Sequence, residues 1–478
     1  MRNHHPYLAA LIALALPACG GSSGSSNPAG AGGSTSQPAA DAGPGDDAAT
    51  KPAMAASELP RAPASSVPAA TLAAVVDGDN AFAIDLYGKV RVDAADHNVV
   101  ISPLSVSLAL SMTYAGAQNA TATEMAKALH WDAPGLDVHA GHNALTQALA
   151  GRPDDALHSA KEKASQAGEP EPSADDFRLH IVNSVWGDRS YAWEQPFLDT
   201  LATDYGTGVY LADFLHQFDA ERLYINSWVS QETQNKINDL LPDGSLTDQT
   251  RMVLVDAMHL KLPWDGPFEK AATQQGDFTK ADSSTVKADY MSQQSTFSYF
   301  EDANAQIVSL PLEGRQISLV VALPKGTLDS FESGLTAGYW KSAWQGRASR
   351  LVALQLPKFS FTSDSIRLKN AFESLGMVQA FDANAADFHG MCKTPPNGEN
   401  LFIGDIFHKA MMAVDENGVE AAAATAVAMF GGSGGNPNPP QPVVMNVNKP
   451  FAVAIVDEPT GSVLFLGHIT DPNDKGSQ

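Results

Sequence analysis

At 478 residues the chain is long enough for two or three average domains. Its 54 acidic residues outnumber 30 basic ones, and the formal net charge of -24 excludes a phosphate-backbone partner, which needs clustered Lys and Arg. Hydrophobic residues make up 44% of the composition, yet no stretch between Leu72 and Pro472 is long and apolar enough to span a membrane.

The N-terminus reads as a secretory signal over residues 1–19: Arg2, His4 and His5 give a weak basic start, and Tyr7 to Leu16 form a short apolar core. The following Leu16-Pro-Ala-Cys19-Gly resembles a bacterial lipobox, in which the Cys becomes the lipidated first residue; Pro17 departs from that pattern. Cys19 is therefore the candidate lipid-anchor site, and the chain is expected to be exported. Residues 20–70 are Gly, Ser, Ala and Pro with scattered Asp, too poor in apolar side chains to fold, and read as a tether. Cys392 is the only other cysteine; with Cys19 acylated no intrachain disulfide can form, and nothing around Cys392 lowers its pKa.

From Thr71 the chain becomes periodic, and Leu72, Val75, Val76, Ala83, Leu86 and Val90 predict an amphipathic helix. Asn98 to Ile101 predicts a short strand. Ser102 as a cap and Pro103 in the first turn predict the helix that follows, whose small and apolar residues, Ser105 among them, mark it as buried. His139 and His142 share a helix face, but without Cys or carboxylate company they make a poor zinc site, and no metal or cofactor is expected. Residues 150–176 are polar and read as a surface excursion.

Strand-like pieces follow at 179–186 and 209–214, then a helix from Ala220 to Lys236. Residues 250–264 form a near-continuous apolar strand ending in Trp264, the pattern of a strand covered on both faces. Further strands read at 305–313, 316–325 and 351–361, the last carrying Lys358. A helix at 368–376 leads to the strand 401–414, which contains His408. Asn446 to Phe451 and Gly461 to Ile469 close the chain. No internal repeat is visible, and the mixture implies one large α+β domain over residues 71–473 with a tail at 474–478.

Between Met412 and Pro442 lies a long loop. From Val419 to Met429 every second residue is small or apolar, while Glu420, the only charge, falls in the other register. Such alternation suits a segment that later becomes a strand of a sheet. An Ala-rich run is also compatible with a short helix, and the Gly/Pro tail with a plain connector.

Glu416-Asn-Gly418-Val419-Glu420-Ala421-Ala422-Ala423-Ala424-Thr425 closely resembles the hinge of the reactive-centre loop of serpins. The Asn98–Met125 block resembles that family's N-terminal segment, with Asn98, Ser102 and Ser105 at shutter positions. By the same resemblance, His408 is the shutter histidine that bonds Ser102, Trp264 lies under the top of the main sheet, and Glu416 pairs with Lys358 there. Asp256 replaces the family's usual Asn, and Gln234 stands where many members carry Asn. The likeness covers about residues 72–472 and implies three β-sheets, about nine helices and an exposed reactive-centre loop at 416–442.

What the resemblance implies is a protease inhibitor that works as a suicide substrate and is not itself an enzyme. A serine protease, chymotrypsin-, elastase- or subtilisin-like, attacks the loop, and the freed hinge inserts into the main sheet. Inserting about 14 residues at roughly 3.3 Å each spans about 46 Å, a full sheet length. A charge or Pro at Val419, Ala421, Ala423 or Thr425 would stall insertion, and none is present. The family's spacing from Glu416 places the scissile bond at Gly432-Ser433, whereas Met429 or Phe430 offers a protease pocket more to hold. A non-inhibitory surface lipoprotein of the same fold and an inhibitor of cysteine proteases are the alternatives. A monomer is expected.

A hydrolase reading also arises, because Gly431-Gly-Ser433-Gly-Gly435 fits a nucleophile elbow and Asp457 and His468 follow in order. The helix that must follow the serine is blocked by Asn436-Pro-Asn-Pro-Pro-Gln-Pro442.

Overall fold

The apolar run near residue 260 becomes the central strand of the main sheet, Met252–Pro263, with every residue but Lys261 buried. A computed structural model describes residues 52–94, 97–420 and 441–476 of the chain. Across the main sheet the order is Met54–Ala55, Val209–Ala212, Arg178–Asp188, Met252–Pro263, Gly418–Val419, Met411–Val414 and Phe359–Thr362. Below Gly418–Val419, the strand Phe407–His408 pairs directly with the central strand in parallel, at Val255 and Asp256.

A second sheet runs Val443–Asn446, Ala348–Pro357, Thr285–Glu301, Ala305–Pro311, Ile317–Pro324, Phe451–Asp457, Ser462–Ile469 and Val99–Ile101. The three expected sheets appear as two hydrogen-bonded networks because Thr285–Glu301, 17 residues long, runs through both halves of the second. The helix Pro103–Tyr114 is buried along all but its last residue and packs against strands of both sheets. Such a helix has no solvent face, which is why its sequence lacks an amphipathic period.

The structure departs from the sequence reading at several places. The helix expected from Ala220 to Lys236 ends at Glu232 and is preceded, across a kink at Gln217 (φ -136°, ψ 32°), by a turn from Phe214 that the Asp213 side chain caps by accepting from the amide of His216. The polar stretch read as a surface excursion contains a 16-residue helix, Arg152–Ala167. Pro153 lies in its first turn with Asp154 and Asp155 on the positive end of the dipole, and Gly168 ends it at φ +70°. Arg152 then reaches Asp457 over 2.7 Å, and Lys163 reaches Asp265 and Glu313.

Residues 52–68 do not behave as a tether. Met54–Ala55 adds an antiparallel edge strand beside Val209–Ala212. Arg61 donates from Nε to Asn143 Oδ1 (2.9 Å) and from Nη2 to Thr146 Oγ1 (2.6 Å), and the Ala62 carbonyl accepts from Asn143 and Gln147. These ties are mostly backbone-directed, so they leave no trace in apolar composition. At the other end of the chain, residues read as a tail bridge the opposite edge, where Thr362 pairs with Gly476. The signal segment with Cys19, the tether up to residue 51, the hinge residues Ala421, Ala422, Ala423, Ala424 and Thr425, and the bond candidates Met429, Phe430, Gly432 and Ser433 lie outside the described residues.

Candidate functional site

The hinge begins at the top of the main sheet, where the strand Met411–Val414 runs out and the chain doubles back. Asp415 turns it: its side chain accepts from the amides of Asn417 and Gly418. Gly418 and Val419 then pair antiparallel with Pro263 and Leu262, and Val419 pairs with Val414 on the other side. The first residue of the alternating run, with Gly418 before it, thus already lies as a strand inside the sheet. Val419 is buried, as its register requires.

Trp264 seals the place where the chain turns. Its indole donates to the Asp415 carbonyl (2.8 Å) and its amide to the Asn417 carbonyl (2.9 Å), while its ring meets Phe268 edge-on. Glu416 is buried beside it, accepts from the Thr273 hydroxyl at 2.7 Å, and pairs with Lys358 at 3.3 Å. Burial pushes the Glu416 carboxyl up, but Thr273, the residue's own amide and Lys358 together outweigh that and hold it below the usual range.

Lower in the sheet, His408 is fully buried. The Ser102 amide donates to its Nε2 (2.9 Å), so the ring proton sits on Nδ1 and points at Asp256 Oδ1, 2.6 Å away. Ser105 donates its hydroxyl to the same Asp256 oxygen (2.9 Å), and the Ser102 hydroxyl turns away to the Leu464 carbonyl. His408, Ser102, Ser105 and Asp256 therefore form one network joining the central strand, the buried helix and the strand leading to the hinge. Asn98 is not part of it: its side chain binds the backbone of Thr470, Asp471 and Asp474 and ties down the chain's end. Gln234 also lies outside it, with its amide against Arg178.

Sequence reasoning missed His259 and Lys236, which bind Glu420 and are taken up below. No local motif marks them, since the three residues meet only in the folded sheet. His139 and His142, which share a helix face in the sequence, lie inside the helix layer. His142 bonds Asp79, itself bound by Ser107 and Trp131, and His139 bonds the Tyr205 hydroxyl. No group of metal ligands occurs among the described residues. Cys392 is buried and burial pushes its thiol up, so it is not primed to react.

The hydrolase reading also meets the geometry. Asp457 pairs with Ser462 at one end of the C-terminal hairpin and His468 with Ala452 at the other, five residues and about 17 Å along the strand. Asp457 is held by Arg152, and His468 contacts Tyr87 and Glu332.

A family model described as "Serpin (serine protease inhibitor)" matches residues 77–472. The chain belongs to the serpin family. It is 32% identical over 404 residues to human serpin B3, covering 83% of this chain and 99% of that protein. It is 31% identical over 402 residues to the leukocyte elastase inhibitor of Bos taurus, covering 82% and 97%. Among solved structures, the native thermophilic serpin tengpin superposes with a TM-score of 0.69 at 26% identity, covering 83% of this chain and 94% of that one. Human thyroxine-binding globulin gives 0.70 at 26%, covering 84% and 100%. Serpins are protease inhibitors rather than catalysts, and the α+β serpin fold expected from the sequence is the fold this chain has.

Proposed function

We propose that this serpin is a suicide-substrate inhibitor of an extracytoplasmic serine protease. The observation that carries the reading is the two-residue strand Gly418–Val419, already intercalated between Met252–Pro263 and Met411–Val414. A sheet that accepts the start of the hinge has the register for the rest, with Ala421, Ala423 and Thr425 falling on the buried face after Val419.

In that reaction the protease serine Oγ bonds to a loop carbonyl carbon, the peptide C–N bond breaks, and the new amine leaves with a proton. The ester that remains ties the protease to the hinge. Insertion adds main-chain hydrogen bonds and carries the protease away before water deacylates it. Met429 or Phe430 suits an elastase-, chymotrypsin- or subtilisin-like pocket, and leukocyte elastase inhibitors are among the relatives. Export with a lipid anchor at Cys19 rests on residues 1–19, and Cys19→Ser is expected to move the protein from the membrane to the soluble fraction.

The test incubates the protein with a panel of serine and cysteine proteases. A gel-stable covalent complex with a serine protease, a released C-terminal peptide starting within residues 430–433, and a raised melting temperature after cleavage are expected. Cleavage without complex and without thermal gain would favour the non-inhibitory alternative, which Gly432, with no side chain for a protease pocket to hold, also suits.

A further inference from the structure

Past Val419 no described residue fills the strand position. The central strand meets Gly418–Val419 at residues 262–263 and Phe407–His408 at residues 255–256, and among the described residues no ladder joins it to Met411–Val414 in between. A narrow seam remains there, lined by Leu260, Met412, Ala413, Val419, Ile455 and Phe465. Among the described residues the hinge therefore enters the sheet by one step, above a closed seam between the central strand and Met411–Val414.

At that step stands Glu420. Its amide still donates to the Ala413 carbonyl (2.8 Å), but its backbone turns to φ +51°, a left-handed conformation that a residue with a side chain rarely adopts. The carboxylate is buried, with Oε1 2.9 Å from His259 Nε2 and 3.0 Å from Lys236 Nζ. His259 sits on the central strand and Lys236 follows the helix Phe214–Glu232, so both clamp the hinge onto the half of the sheet that borders the seam.

For the chain to continue into the seam, Glu420 must pass from left-handed to extended backbone. In the antiparallel register it would then stand opposite Lys261, whose amine is already bound to Asp176 (2.8 Å), and its carboxylate would leave the place where His259 and Lys236 now meet it. Leaving a buried carboxylate contact with two partners for an occupied one is unfavourable. His180 pairs with His259 across the neighbouring strand and bonds the Glu232 carbonyl, so it offers Glu420 no second site.

We propose that Glu420, held by His259 and Lys236, is a stop that keeps the uncleaved loop from zipping into its own sheet, and so sets the lifetime of the inhibitory form. This rests on the insertion reading above. The stop is a property of this chain's side chains at the sheet's mouth, apart from the alternation that makes insertion possible.

The test holds the full chain, uncleaved, below its melting temperature and follows the appearance of a more heat- and urea-resistant species. Glu420→Ala and Lys236→Ala are each compared with the unsubstituted protein; Lys236 is partly exposed, so its truncation leaves the core intact. Glu420→Ala is expected to convert about tenfold faster and Lys236→Ala about threefold faster, in line with the loss of a buried and a half-exposed contact. Rates no faster than the unsubstituted protein in both variants would overturn the stop. A protease-nicked control separates the two readings: if it gains thermal stability while the variants match the parent, only the stop fails. If the nicked control gains nothing, insertion itself fails and the stop with it.

Discussion

His408 Nδ1 lies 2.6 Å from Asp256 Oδ1, with both side chains fully buried. The carboxylate is only half satisfied, because Asp256 Oδ2 has no partner among the described residues, while the Ser102 amide claims the other ring nitrogen. An amide in place of the carboxylate keeps the Oδ1 acceptor for His408 and Ser105 while removing a buried charge. Asp256→Asn is therefore expected to raise stability by about 1–2 kcal/mol, and Asp256→Ala to lower it by about 2 kcal/mol. Urea titration with unchanged slope reads both. A lower midpoint for Asp256→Asn would show that the charge is matched after all.

Glu416 supplies a pH dependence at the top of the sheet. Its folded carboxyl is held below the usual range, so its contribution is present above the ordinary carboxylate value and is lost as pH falls through the lowered one. Glu416→Gln should destabilise the protein at neutral pH, and the gap to the parent should close on acidification. A gap that stays constant to about pH 3 would mean that the charge adds nothing.

His139 acts in the same direction as Glu416, in a higher pH window. Burial first, then neighbouring His142, lower it from 6.5 to about 4, so between those values the unfolded chain binds more protons. Stability is complete above the unfolded value and falls as pH drops toward about 4, by on the order of 2 kcal/mol after discounting for the ring's partial exposure. His139→Gln should flatten this slope in urea titrations across the window. An unchanged slope would assign it to other groups.

The N-terminal arm should contribute measurably. Arg61→Ala removes the contacts to Asn143 and Thr146 and is expected to cost about 1–2 kcal/mol. Deleting residues through Val67 uncovers Val209–Ala212 and should bring concentration-dependent self-association in sedimentation. A deletion variant that stays monomeric with the parent's melting temperature would make the arm dispensable.

Much of the architecture was legible because it depends on local chemistry. The Pro103 start, though Ser102 does not cap it with its side chain, and the apolar strand at 252–263 carry their geometry in side-chain type and period. The site was legible only where it is built from such segments. Asn98 looked like a shutter residue but binds the chain's end, because an amide's partners are chosen by tertiary placement. The clamp of His259 and Lys236 on Glu420 joins residues 161 and 184 positions apart, and no period in the sequence connects them. The helix Arg152–Ala167 had its signals in Pro153-Asp-Asp, outweighed in the reading by polarity alone.

Both termini of the described fold lie against the borders of the main sheet, Met54–Ala55 along one and Gly476 along the other. A two-residue strand and a single bridge leave little regular edge for a foreign strand to extend. Under the proposed insertion, the pairing that remains is the one beside Val419, which the molecule's own chain is tethered to reach.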